Sequence, residues 1–248
     1  EKHTDFIFTT FAEEFGLAGA IGLLGLYGFV LAYGFAIGMR ARNQFGRLIA
    51  FGVTYTWNPA GNICDHSCTI SPIPGCVGKT LPELVDELHD AGVKVSLSFG
   101  GAGMGGLWDP DGTNCWQHCF DKVPQLATQL TQLVVDSDLD GIDIDYEYLT
   151  TSTVQTDFLK SLTNELRSQL DAAFPAVRKT ISHVPMEFEI QAGDPYFEVL
   201  EETTSAVDYV MVQYYNGYID PYSPSGLEAV RSHYGDLVNL YGGDASRV

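Results

Sequence analysis

Along residues 140–147 acidic and bulky apolar side chains alternate: Asp140-Gly141-Ile142-Asp143-Ile144-Asp145-Tyr146-Glu147. Period two belongs to a strand, whose side chains point in turn to opposite faces. Ile142, Ile144 and Tyr146 therefore share one face, and Asp143, Asp145 and Glu147 the other. On both sides of this stretch the period changes. After a loop over residues 57–79, Leu81, Leu84, Val85 and Leu88 recur at helical spacing. Thr80 and Glu83 frame that helix with a capping box, Pro82 fits its first turn and Gly92 ends it. Val93 to Phe99 reads as a strand running into Gly100-Gly101. Val123, Leu126, Leu130 and Leu133 mark a second helix, and Val154, Phe158, Leu162, Leu166 and Leu170 a long third one. Lys179 to Val184 and Val207 to Tyr215 read as two more strands, before a last helix from about Ser225 to Tyr241.

Strands alternating with helices predict parallel βα units. Tyr209-Val210-Met211-Val212 is the near-unbroken apolar run of a strand buried on both faces. A doubly wound sheet and a (β/α)8 barrel both fit this order. The barrel is favoured because polar residues gather where strands end: Gly100-Gly101, Glu147, Met186-Glu187 and Tyr215-Asn216. Barrel enzymes build their sites at that end.

Charge divides the chain. In residues 1–56 the bases Lys2, Arg40, Arg42 and Arg47 balance the acids Glu1, Asp5, Glu13 and Glu14, so the net charge of −19 resides wholly in residues 57–248. So acidic a region repels nucleic acid and anionic membrane, and suits a neutral or cationic ligand. All 5 cysteines (Cys64, Cys68, Cys76, Cys115, Cys119) fall in it as well. Their clustering predicts disulfides and an oxidising, extracellular setting, with one thiol left over from an odd count. Zinc is the rival reading, since His66 and His118 lie among them, but no C-x2-C pair supports it.

The first 56 residues have another character. Phe15 to Met39 carries no charge and exceeds the ~20 residues that cross a bilayer. Arg40, Arg42 and Arg47 follow it, on the cytoplasmic side by the positive-inside rule. Glu1-Lys2-His3-Thr4-Asp5-Phe6-Ile7-Phe8, Ala12-Glu13-Glu14-Phe15-Gly16, the apolar run, Arg40-Ala41-Arg42 and Phe45-Gly46-Arg47-Leu48 resemble a piece of the bacterial RodA/FtsW family of multi-span cell-shape proteins. One span followed by arginines would put the acidic region in the cytoplasm, where disulfides rarely persist. The expected organisation is a membrane-span segment of foreign origin over 1–56, with possible membrane association through 15–39, joined near residues 50–58 to a separate domain over 57–248.

Carboxylates spaced roughly 6–7 Å apart along one strand face cannot all ionise freely, so at least one pKa should rise. Asp143-Ile144-Asp145 is also a D-x-D, a pattern used with metal and nucleotide sugars. No basic phosphate cradle and no G-x-G-x-x-G after a strand accompanies it, so no metal or cofactor is expected. Proton transfer is the better reading, and the motif then acquires a family. Residues 140–147 resemble the D-G-x-D-x-D-x-E strand of glycoside hydrolase family 18. Ser98-Phe99-Gly100-Gly101 is similar to that family's S-x-G-G on its third strand, and Gln213-Tyr214-Tyr215-Asn216 to its Q-x-Y-N on the sixth.

The resemblance implies hydrolysis of β-1,4 bonds between N-acetylglucosamine units, in chitin or a related glycan, by a substrate-assisted retaining route. Glu147 would be the acid/base. Asp145 would orient the acetamide, Asp143 would share a proton with Asp145, and Tyr215 would bond the acetamide. Gln213, Asn216, Tyr214, Gly100, Gly101 and Met186 would shape the substrate subsite. Trp57, Trp108 and Trp116 suit either sugar stacking or packing. Against the family pattern, no first strand is recognisable before residue 48, and the seventh and eighth are expected to be missing. The predicted fold is therefore a partial (β/α)8 TIM barrel preceded by one transmembrane-like helix, which would leave the barrel unclosed and its activity impaired. The rivals are an inactive chitin-binding lectin of the same fold, which Glu147 opposes, and a fragment of a cell-shape membrane protein.

Overall fold

The computed structural model describes residues 67–70, 78–101, 104, 115–148, 152–215 and 223–248. The chain divides into two units, Glu1–Gly52 and Val53–Val248, and every described residue belongs to the second. The helix expected over 15–39 lies outside the described residues, as do Asn216, Trp57, Trp108, Cys64 and Cys76. Among the described residues no helix is long and apolar enough to cross a membrane.

Strands β1 (Ser96–Gly100), β2 (Gly141–Asp145), β3 (Thr180–His183) and β4 (Tyr209–Val210) form one 4-stranded sheet in the order β1-β2-β3-β4, each pair parallel. Helix α1 (Leu81–Asp90) precedes it, and α2 (Val123–Ser137), α3 (Thr153–Ala173) and α4 (Pro195–Glu202) make the crossovers. Helix α5 (Pro224–Leu240) follows β4. Strands that lie in chain order wind in one direction, as in a barrel. A doubly wound sheet reverses its order at a switch point, and these four strands show no reversal.

The helix starts follow local chemistry. Thr80 caps α1, its backbone N–H and Oγ1 both donating to Glu83 Oε2, at 2.7 and 2.8 Å. Ser152 and Gln155 repeat the device at α3, a box the periodic reading passed over. Helix α4 was also unforeseen. At 8 residues, opened by Asp194 and Pro195, it is too short to set up a helical period, yet it buries Tyr196, Phe197, Val199 and Leu200. The strand expected over 207–215 pairs regularly only at Tyr209–Val210. Beyond it one parallel bridge joins Met186 to Gln213.

Leu97, Ile142, Ile144, Ile181 and Val210 project from one face of the sheet into the apolar core beneath the helices. Trp116 is fully buried there, against Tyr146 at 4.8 Å and Phe158 at 6.0 Å between ring centroids. It is a packing residue and not a sugar platform. His183 faces the same core: its Nδ1 pairs with Tyr196 Oη at 3.0 Å and its Nε2 with Thr163 Oγ1 at 3.1 Å. Burial holds this imidazole neutral, with its pKa down to about 3.

The lower rim is closed twice by one device. Asp140, just before β2, accepts from Val95 N–H through Oδ2 at 2.7 Å and returns its own N–H to Val95 O at 2.7 Å. Asp208, just before β4, does the same with Ile181, at 2.8 and 2.7 Å. His89 further holds Asp140, and Arg167 and Arg178 hold Asp208. The first aspartate of the acidic motif thus sets strand register and takes no part in the row above.

Cys68 and Cys119 form a disulfide with a sequence separation of 51, tying residues 67–70 to the short 3-10 helix Cys115–Cys119. Closing a loop of that length restricts the unfolded chain and contributes roughly 2–4 kcal/mol. Cys115 is also disulfide-bonded. Thiols committed in this way are not zinc ligands.

Candidate active site

The inward face of the sheet carries the chemistry. Register places Ser98, Asp143, Ser182 and Tyr209 side by side across β1 to β4, with Gly100 opposite Asp145 one step higher. Alternation on β2 sends Ile142, Ile144 and Tyr146 outward, where they are fully buried. Asp143, Asp145 and Glu147 point inward and are also buried, the most exposed at 9%. Such a position demands partners, because an unpaired buried carboxylate is strongly disfavoured.

Asp143 has two. Ser98 Oγ donates to its Oδ2 at 2.9 Å, and Ser182 Oγ donates to its Oδ1. Burial still raises its pKa, opposed by the Ser182 and Ser98 hydrogen bonds. Higher on the strand, Gln213 Nε2 lies 3.1 Å from Asp145 Oδ1, 3.2 Å from Glu147 Oε1 and 2.9 Å from Val184 O. An amide NH2 has two hydrogens for these three acceptors. Gln213 is itself held by its backbone, donating to Pro185 O at 2.9 Å and accepting from Glu187 N–H.

Asp145 rises as well, as the row predicts. Burial, then the charges of Glu147 and Asp143, push it up to about 8, while the Gln213 hydrogen bond pulls it down. The expected sharing of a proton between Asp143 and Asp145 has a competitor here. Both Asp143 oxygens accept from serines, and Asp145 has side-chain hydrogen bonds with Gln213 and Glu147.

The remaining predicted residues divide. Tyr215 is 65% exposed at the mouth of the site, and its phenol is raised by burial and by the Asp145 and Glu147 charges. Tyr214 turns the other way: its Oη pairs with His233 Nδ1 of α5 at 3.0 Å. Met186 is buried and meets Gln213 through its backbone. Gly101 N–H donates to Asp145 O at 2.7 Å. Ser182 and Tyr209 join the site without having been singled out. The usable signal was parity, since Thr180 and Ser182 alternate with Ile181 and His183, and Tyr209 shares the odd-numbered face of Gln213.

A raised carboxyl pKa makes stability depend on pH. Between the ordinary Asp value of 3.8 and about 8, the folded protein holds the Asp145 proton more tightly than the unfolded chain. This contribution is complete below the lower value and is lost as pH rises through the upper one. His183 acts oppositely, losing stability as pH falls from 6.5 towards 3, so it contributes no slope above 6.5. From pH 6.5 to 8.5 the wild-type Tm is expected to fall by about 4 °C more than that of Asp145→Asn. Calorimetry at constant ionic strength reads this. Parallel slopes would show that Asp145 does not retain its proton.

Comparison with known proteins places these features. A model of glycosyl hydrolases family 18 matches residues 62–236. A model of cell cycle proteins of the FtsW/RodA/SpoVE type matches residues 1–61. The chain is 29% identical over 180 residues to Chitinase 1 of Tulipa saxatilis subsp. bakeri, covering 69% of this chain and 51% of that protein. Among solved structures, it is similar to a GH18 chitinase from Pseudoalteromonas aurantia at 30% identity and TM-score 0.52, covering 64% of this chain and 55% of that one. A chitinase from Bacteroides thetaiotaomicron, at 16% identity and TM-score 0.50 over 74% of this chain and 54% of its own, shares the fold. The chain spans about half the length of these relatives. The described sheet and helices are accordingly a (β/α)8-barrel-like α/β fold.

Proposed function

The chain belongs to glycosyl hydrolases family 18, and from that premise we propose that it hydrolyses β-1,4 bonds between N-acetylglucosamine units, in chitin or chitooligosaccharides, with retention of configuration. Retention here uses the substrate's own acetamide in place of a protein nucleophile, as family 18 does. Glu147 gives its proton to the glycosidic oxygen as the bond to C1 breaks. The acetamido oxygen closes on C1 and forms an oxazolinium ion. Glu147, now a carboxylate, takes a proton from the water that opens this ion.

The observation that carries the reading is the Gln213 amide set between Asp145 and Glu147. Asp145 keeps its proton near neutrality and lies against the acid. When Glu147 loses its proton, the Asp145 hydrogen bond to it strengthens. Negative charge is then spread over two carboxyls beside the cation, in a site where burial makes such stabilisation large. Tyr215, at the mouth, is positioned to bond the acetamide; the role of Asn216 in that subsite rests on the sequence motif alone. Gly100, Gly101 and Met186 shape it through backbone, and Tyr214 supports it through α5.

The test is the anomer first released when the full chain cleaves chitotetraose, followed by proton NMR before mutarotation. The β-anomer is expected. An α-anomer would remove the substrate-assisted route, and binding without cleavage would leave an inactive lectin. The Cys68–Cys119 disulfide supports an extracellular setting for this unit. Residues 1–56 are read as a membrane-span segment of foreign origin, and residues 57–248 as part of a family 18 catalytic domain.

A further inference from the structure

Beneath the acidic row lies a hydroxyl with no assigned task. Tyr209 opens β4 directly across from Ser182, which in turn lies across from Asp143. Its Oη is shut off from solvent and makes no well-formed hydrogen bond among the described residues, although the hydroxyls of Ser182, Thr180 and Ser96 lie within its reach, and it feels the Asp143 charge. A buried O–H without an acceptor is disfavoured. Burial also keeps the phenol protonated, so it can serve only as a donor or as a neutral acceptor.

Ser182 supplies the missing acceptor. Its one proton is committed to Asp143 Oδ1, which leaves its oxygen lone pairs available. Resting on the functional reading above, we propose that Tyr209 is a positioning residue of the acidic row: its hydroxyl donates to Ser182 Oγ and completes a chain from Tyr209 through Ser182 to Asp143 that supports the charged form of that carboxyl. Such a chain polarises along its length, so the serine becomes a stronger donor when the carboxylate most needs one. No bond is made or broken, and the hydroxyl has only to turn.

Among the described residues, few ionisable groups face Asp143. Asp145 and Glu147 lie above it on β2 and Tyr209 beside it on β4, while Tyr196 of α4 senses its charge through the sheet. The inward residues of β1 and β3 are Ser96, Ser98, Thr180 and Ser182, and His183 points to the helices. A change at Tyr209 therefore reaches the pH profile through Asp143 and its neighbour Asp145.

Tyr209→Phe keeps the ring and deletes the donor. With chitotetraose and the full chain, kcat is expected to fall about tenfold with KM within twofold. The Asp143 carboxyl should titrate about one pH unit higher, since its charged form loses support. Site-specific 3-fluorotyrosine at 209, a better donor with nearly the same shape, should move that titration down, which a packing role would not do. Carbon-13 titration of the aspartate carboxyls reads the same two shifts without any turnover, so a failure of the chitinase reading stays separate. Titrations coinciding with wild type in both variants would overturn the proposal.

Discussion

Glu147→Gln is expected to reduce kcat on a fluorogenic chitotrioside by 10²–10⁴-fold, with KM changed by less than about threefold. The amide cannot protonate the leaving oxygen, nor can it later take a proton from water, so both halves of the cycle lose their acid/base group. The substitution is otherwise mild. Gln213 Nε2 donates to Glu147 Oε1, and an amide oxygen at that position still accepts. Binding by calorimetry, in the presence of chitotetraose, should therefore persist. One secondary effect follows from the charges: Glu147 is the second cause raising Asp145, after burial, so Asp145 should titrate below its wild-type value in the variant. Turnover within tenfold of wild type would remove Glu147 from the role of acid. An inactive wild type that binds sugar would instead restore the lectin alternative.

What could be read along the chain was what repeats locally. The acidic row announced itself because β2 alternates strictly, and Thr80 and Glu83 announced α1 because a capping box is contained within one turn. What escaped depends on partners distant in sequence. Ser182 and Tyr209 reach Asp143 only after β2, β3 and β4 have aligned in register, and each lies in a short segment with no motif of its own. Helix α4 escaped for a different reason, since two turns give a hydrophobic period almost no room to show. The rise in pKa was foreseeable from three neighbouring acids, but not its location. Burial raises both Asp143 and Asp145; neighbouring charges add to the rise at Asp145, while two serine hydrogen bonds oppose it at Asp143. Asp140 shows the limit of motif reading from the other side. It belongs to the same eight residues, yet its carboxylate closes the sheet's lower rim.

Gly100→Ala is expected to cost roughly 3–6 kcal/mol and to lower the remaining kcat at least about a hundredfold. Gly100 ends β1 opposite Asp145, with φ at +132°, a conformation side chains rarely adopt. A Cβ there would stand 1.9 Å from Asp145 O, 2.6 Å from its carbonyl carbon and 2.9 Å from Trp116 Cζ2. None of these atoms is the free end of a flexible chain. The Asp145 carbonyl is fixed by Gly101 N–H at 2.7 Å, and Trp116 is locked among Phe99, Tyr146 and Phe158. The strands must therefore separate, and Asp145, whose backbone is struck, must shift against Glu147 and Gln213. Gly78→Ala isolates the conformational part: its φ of +76° is also left-handed, but nothing lies within 4 Å of its Cβ, so only about 1 kcal/mol of strain is expected. Denaturant unfolding of both variants, with kcat and KM on the same preparations, separates the two readings of this glycine. A role in contacting sugar would raise KM and leave stability unchanged. A role in packing the catalytic strand lowers stability and kcat together, with KM nearly untouched, and the contact at 1.9 Å favours that result.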